Sequence, residues 1–154
     1  MVDVVIPCVP SHTKYLPDVL NSIKHNTMAP QRVIIAHSEM SSSKCLTLGD
    51  ELQLVLDDIP LLMTCTEEKA NASQNRNRGA RLSDAEILMF FDADDLMLRG
   101  RIEALVSALK RNNADAVLHA YTYNIHYDET LEEAMAPVAT GSQMIKLAHG
   151  HGTY

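Results

Sequence analysis

The chain predicts an α/β fold with an open, mostly parallel sheet flanked by helices, and three observations predict it. Short apolar runs rich in β-branched residues alternate with segments of helical period, the pattern of βαβ units. Those runs are nearly continuous rather than alternating in polarity, which suits strands covered on both faces. A length of 154 residues, 46% of them hydrophobic and 21% charged, suits one soluble globular domain with its own core.

The elements follow in order. VDVVIP (2–7) is a short apolar strand closed by Pro7 and Pro10. Tyr15, Leu16, Val19, Leu20 and Ile23 then share one helix face, with Ser11 or Thr13 available as N-cap. RVIIAH (32–37) is the second strand, SEMSSSK a polar loop, and Leu46 to Leu56 a helix. LLMTCT (61–66) makes the third strand and Ala70 to Leu82 the next helix. ILMFF (87–91) is the fourth strand, and a helix from about Leu98 to Arg111 carries the stripe Ile102, Leu105, Val106 and Leu109. AVLHAYTYNI (116–125) reads as a fifth strand, and the segment from Asp128 to Tyr154 has the weakest pattern. There is no internal repeat or low-complexity tract.

Charge and segment composition narrow the function. Twenty acidic residues against thirteen basic ones, a net charge of -7, argue against a nucleic-acid backbone or an anionic membrane as main partner. No apolar run approaches the roughly 20 residues of a membrane span, and MVDVVIPCVP lacks the basic start of a signal peptide, so an intracellular, cytoplasmic protein is expected. Cys8, Cys45 and Cys65 are odd in number without CxxC spacing, which predicts reduced thiols and no zinc site. The six glycines form no GxGxxG after a strand, and no P-loop is present, which excludes the two commonest nucleotide-binding loops.

The chemistry concentrates in FFDADD. In an open α/β sheet the ligand crevice lies outside the carboxyl ends of the strands, where these aspartates stand. On an extended chain Asp92 and Asp94 point one way and Asp95 the other. Two carboxylates at a cleft need a positive partner, and the motif contains no Lys or Arg. A hard divalent cation, Mg2+ or Mn2+, takes such oxygen ligands and keeps positions for water or substrate phosphate. The plainer alternative makes Asp94 and Asp95 the cap and first turn of the next helix. Upstream, ANASQNRNRGAR (70–81) puts Ser73, Arg76, Asn77 and Ala80 on one helix face, and Gln74, Asn75 and Asn77 are poor choices for a buried one. If that face lines the crevice, the planar donor fork of Arg76 can bind a phosphate or a base edge.

An opening strand running into VVIPCVP, an RNRG helix, and a strand ending in FFDADD before the helix RIEALVSAL together resemble the family 2 nucleotide-sugar glycosyltransferases of GT-A fold, over roughly residues 1–126. VVIPCVPSHTKYL is also similar to the small glycosyltransferase domains of chlorella-virus capsid glycosylation, which would place the protein in a host cytoplasm. The resemblance implies that Pro7, Val9 and Ser11 hold the nucleoside, and that the end of strand two at His37, Ser38 and Glu39 approaches the base. It implies that Arg76 contacts base or diphosphate, that Asp92, beside Ala93, binds ribose or metal-bound water, and that Asp94 ligates a Mn2+ or Mg2+ bridging the phosphates. The donor is then a nucleotide-diphosphate sugar, most simply UDP-linked, and a glycan or other hydroxyl acceptor attacks the anomeric carbon with inversion.

Two departures qualify that reading. AHSEMSSS stands where the family often carries base-reading acidic residues. The carboxylate base needed for inversion usually lies beyond the point where this chain stops; Asp128, Glu129, Glu132 and Glu133 are the available carboxylates. Residues 127–154 therefore read as an incomplete acceptor-side segment of the one domain, and a non-catalytic donor-binding domain is the alternative. His149 and His151 offer a late metal ligand or a plain glycine-rich terminus, and His119 and His126 lie on or beside strand five. LMFFDADDL is also similar to the signature of haloacid-dehalogenase-type phosphatases. Leu96 stands where that family has Thr or Val, and three strands precede the motif instead of none.

Overall fold

A computed structural model of the chain describes residues 1–118. It divides into two compact units, Met1–Arg99 and Gly100–Tyr154. The first unit holds β1 (Val2–Cys8), a 3-10 turn (Pro10–Tyr15), α1 (Leu16–Lys24), β2 (Arg32–Ser38), α2 (Ser42–Leu56), β3 (Leu61–Thr66), α3 (Ala72–Ala80) and β4 (Ile87–Phe90). The described element of the second unit is α4 (Arg101–Arg111).

The four strands form one parallel sheet in the order β3-β2-β1-β4. The chain builds outward from β1 through β2 to β3, then returns to place β4 on the other flank of β1. Strand order therefore reverses between β1 and β4, and the carboxyl ends of those two strands open the ligand crevice expected of such a sheet. Register sets Cys8 opposite His37 and Val5 opposite Phe90, so the loops leaving β1, β2 and β4 emerge on one edge.

All seven residues of β1 are buried, as is β2 from Val33 to Ser38. This is why both read as continuous apolar runs. Leu16, Val19, Leu20 and Ile23 bury the predicted face of α1; each such side chain stabilises the fold by about 1.5–3 kcal/mol. Tyr15, expected on that face, is exposed, because a 3-10 turn starts the helix one residue later. Neither Ser11 nor Thr13 caps α1. Both lie inside the 3-10 turn, and Tyr15 takes the cap position without a side-chain hydrogen bond.

α3 lies against β1 and β2, and a close approach makes this possible: a Cβ on Gly79 would stand 2.6 Å from Cγ1 of Val5. Asn71 starts this helix with a capping box, accepting from the Gln74 amide while Gln74 Oε1 accepts from the Asn71 amide.

Several expectations are revised. Cys45 and Cys65 form a disulfide with Cα atoms 6.2 Å apart, because α2 crosses beside β3 and brings together two residues 20 apart in sequence. Only Cys8 is a free thiol. Asp94 and Asp95 do not cap α4, whose N-cap is Gly100. α3 buries Asn75, a position expected on its solvated face. β4 ends at Phe90 and leaves Leu88 and Phe90 exposed, so this strand is not covered on both faces. Residues 116–118 of the expected fifth strand are not in a strand. The rest of it, the carboxylates at 128–133 and His119, His126, His149 and His151 lie outside the described residues.

Candidate functional site

The strand β4 runs into Phe91, Asp92, Ala93 and Asp94 with strict alternation: Phe91 and Ala93 are buried, Asp92 and Asp94 exposed. Asp95 is exposed as well, and Ala93 and Asp94 stand in a turn and not in the strand. The turn spans Asp92 to Asp95, with the Asp95 amide donating to the Asp92 carbonyl at 3.4 Å. Anchoring is apolar below and polar behind. Phe91 and Met97 are core residues, the Phe91 amide bonds the Val5 carbonyl at 3.0 Å, and the Met97 amide bonds Ser22 Oγ at 2.9 Å.

Two side chains from neighbouring elements face these carboxylates, an arginine and a histidine. Arg76, from α3, donates to Asp92 Oδ1 at 2.5 Å. His12, from the turn after β1, places Nδ1 at 3.9 Å from Asp94 Oδ1. The positive partner missing from the motif is thus supplied by tertiary structure. The pairs are open to water, with side chains of Asp92 and Asp94 51% and 47% exposed, so each pair is worth about 1 kcal/mol or less and exchanges readily for a ligand.

Among the described residues no three His, Cys, Asp or Glu side chains gather to hold a metal by themselves. Asp92 and Asp94 nonetheless fit a Mg2+ or Mn2+ ion, which binds through one or two carboxylates and completes its shell with water and substrate phosphate. Arg76 would then be released to a neighbouring anionic oxygen.

Beneath the surface lies a buried polar layer. Asn75, fully buried, donates to the Cys8 carbonyl at 3.0 Å and to Ser38 Oγ at 3.3 Å, tying together the ends of β1 and β2. Arg78 donates to the His37 carbonyl at 2.8 Å and to Asn75 Oδ1 at 2.9 Å. Burial lowers the pKa of Arg78 and of His37. His37 Nδ1 lies 2.8 Å from the Ser38 carbonyl, which can only accept, so Nδ1 carries the proton of the neutral ring. His37 Nε2 then accepts from the Thr13 hydroxyl at 2.8 Å. Burial pushes the Cys8 thiol up to about 11, which makes it inert at neutral pH.

The residues singled out by sequence fall into three groups. Arg76 is paired with Asp92 just past the end of β4, and Asp94 follows two residues on beside His12, with buried Ala93 between the aspartates. Val9 and Ser11 follow β1, Ser11 within the 3-10 turn, and are half-buried and exposed respectively. Pro7 and Ser38 are buried in their strands, and the Ser38 hydroxyl is spent on Ala70 and Asn75. Sequence reasoning passed over His12, Thr13, Asn75 and Arg78. One signal was available for Asn75: it stands four residues before Gly79, on the face that must touch the sheet.

Residues 3–145 match the family described as Glycosyl transferase family 2. The chain is 26% identical over 130 residues to Glycosyltransferase GlyG of Streptococcus pneumoniae, covering 84% of this chain and 41% of that one. It is 38% identical over 55 residues to the poly(ribitol-phosphate) beta-N-acetylglucosaminyltransferase TarP of Staphylococcus aureus, 36% of this chain and 17% of that one. The chain thus spans less than half the length of these relatives. Among solved structures, S. aureus TarS 1–349 in complex with UDP-GlcNAc superposes with a TM-score of 0.64 at 18% identity, over 82% of this chain and 36% of that one. The same protein with UDP superposes at 0.60 and 17% identity, over 82% and 37%. These two likenesses speak to the fold, which is of GT-A type.

Proposed function

The chain belongs to glycosyltransferase family 2, and from that premise we propose that it binds a nucleotide-diphosphate sugar, a UDP-sugar, and serves its transfer to a hydroxyl acceptor with inversion. One observation carries this reading: exposed Asp92 and Asp94, with Arg76 beside them, stand where strand order reverses at the carboxyl ends of β1 and β4. Both crystallised TarS complexes contain a uridine nucleotide, which supports uridine as the base.

In this reading Asp94 and Asp92 hold Mn2+ or Mg2+, which when bound supplies Lewis-acid stabilisation of the diphosphate leaving group. Arg76 leaves Asp92 and donates its fork to a phosphate oxygen. The loop after β1, with Val9 and Ser11, faces the nucleoside. Pro7 and Ser38 act from below by fixing the strand ends, and Ala93 closes the floor between the aspartates. No residue among those described is assigned as catalytic base. The phosphatase-type alternative loses its support, since residues 3–145 match a different family.

Calorimetric titration of UDP, GDP and UDP-GlcNAc into the full chain, with Mn2+ and again with EDTA, tests the proposal. Binding of a uridine ligand that disappears in EDTA is the expected result; equal binding with and without metal would remove the metal from the site. Release of UDP from UDP-GlcNAc in the presence of hydroxyl acceptors then separates a transferase from a binding domain.

A further inference from the structure

The turn Pro10–Tyr15 carries His12 toward Asp94, and within the turn the His12 ring lies 6.3 Å from that of Tyr15. No residue of the turn is buried, its first residue is capped by no side chain, and the His12 amide bonds the Val9 carbonyl at 2.9 Å. Among the described residues a polar contact reaches from it into the core: the Thr13 hydroxyl meets Nε2 of fully buried His37 at 2.8 Å. His37 is itself held from two sides: its Nδ1 donates to the Ser38 carbonyl, and its own carbonyl accepts from Arg78. Asn75 fastens Cys8, the residue from which the turn departs, to the same strand end.

We infer that Thr13 and His37 are positioning residues for the donor site: a latch from the end of β2 that holds the turn after β1 and so sets His12 against Asp94. The inference rests on the donor-site reading above and adds to it how the loop beside the aspartates is placed. It also assigns a role to a histidine that is too deeply buried to touch a ligand itself. Because the latch spans β2 and the turn, it transmits the position of the base-side strand end to the aspartate side. A threonine suits this task, since its hydroxyl donates to Nε2 while its methyl and short stem leave no long chain to order.

The test compares Thr13→Val, which deletes the hydroxyl at nearly constant shape, with Thr13→Ser, which keeps it. Three readouts are taken on the full chain: hydrogen exchange at the His12 amide, Mn2+-dependent UDP affinity, and the thermal midpoint. Thr13→Val should speed exchange in the turn and weaken UDP binding by roughly 3- to 10-fold, the worth of one hydrogen bond. Thr13→Ser should restore both. His37→Phe should reproduce the Thr13→Val effect on binding, and the double variant should add nothing further, the mark of two residues acting as one link. A lowered midpoint with unchanged affinity and unchanged exchange at His12 would make the bond merely structural and overturn the inference. So would failure of Thr13→Ser to restore binding. Absence of UDP binding in the unsubstituted chain would instead overturn the donor-site reading, and the positioning role with it.

Discussion

Aspartates stand at both ends of the sheet under opposite conditions. At the amino end Asp3 is fully buried, its Oδ2 accepting from Arg32 at 2.8 and 3.1 Å and from Ser83 at 2.6 Å. Arg32 reaches on to Asp84, whose carboxyl it holds below the usual range, so one guanidinium bridges two carboxylates and staples β1, β2 and the segment before β4. At the carboxyl end Asp92 and Asp94 are half exposed and meet one partner each, Arg76 and, at 3.9 Å, His12. Water competes at Asp92 and Asp94 and not at Asp3. A buried charge must be paired to exist at all, whereas an exposed one can trade partners, and this separates a structural carboxylate from one available to a ligand.

Substitution at the two ends sharpens that contrast. Asp3→Ala should produce the largest loss of stability, about 3 kcal/mol by urea denaturation, the low end of the range for removing one partner of a buried pair because Arg32 retains Asp84. Asp94→Ala should do the reverse, abolishing metal-dependent nucleotide binding while stability moves by no more than about 0.5 kcal/mol. Unchanged UDP affinity in this variant would break the comparison at its carboxyl end. Arg76→Ala should weaken nucleotide binding by about 1.5–3 kcal/mol, the worth of a charged hydrogen bond, with little change in unfolding midpoint. An affinity loss within error would leave Arg76 as the surface partner of Asp92 alone.

The smallest effect concerns pH. Burial holds the His37 pKa below its ordinary value near about 6.5; positive Arg78 lowers it further, while the Ser38 carbonyl and Glu39 act the other way. As pH falls through about 6.5 the unfolded chain takes up this proton and the folded chain does not. Stability is therefore unaffected above that pH, declines on acidification below it, and levels off once the folded ring also titrates. Thermal midpoints measured at pH 7.5, 6.5 and 5.5 should fall less steeply in His37→Phe than in the unsubstituted chain.

Much of this was legible in the residues. β1 through β4 could be placed because each is a short apolar run bounded by Pro, Gly or polar residues, and Leu16, Val19, Leu20 and Ile23 marked the inner face of α1. FFDADD declared itself because strand alternation and the strand-end rule act on neighbours in sequence. What stayed hidden depends on neighbours in space. The 3-10 turn has no period to read, and Asn75 looked solvated until two strand ends were found to need its amide. Cys45 and Cys65 showed no pairing signal because the crossing of α2 beside β3 created it.

The sequence by itself determined an open parallel α/β sheet, its strand segments, and a carboxylate pair at the end of β4, since these follow from local periodicity and the direction of the chain. Only the tertiary structure decided that Arg76 and His12 answer those carboxylates, that Asp3 is buried with Arg32, and that Thr13 meets His37. These pairs lie 16, 82, 29 and 24 residues apart. No local pattern encodes such separations; they are selected when the sheet's register brings the strand ends together and buried polar groups must find partners.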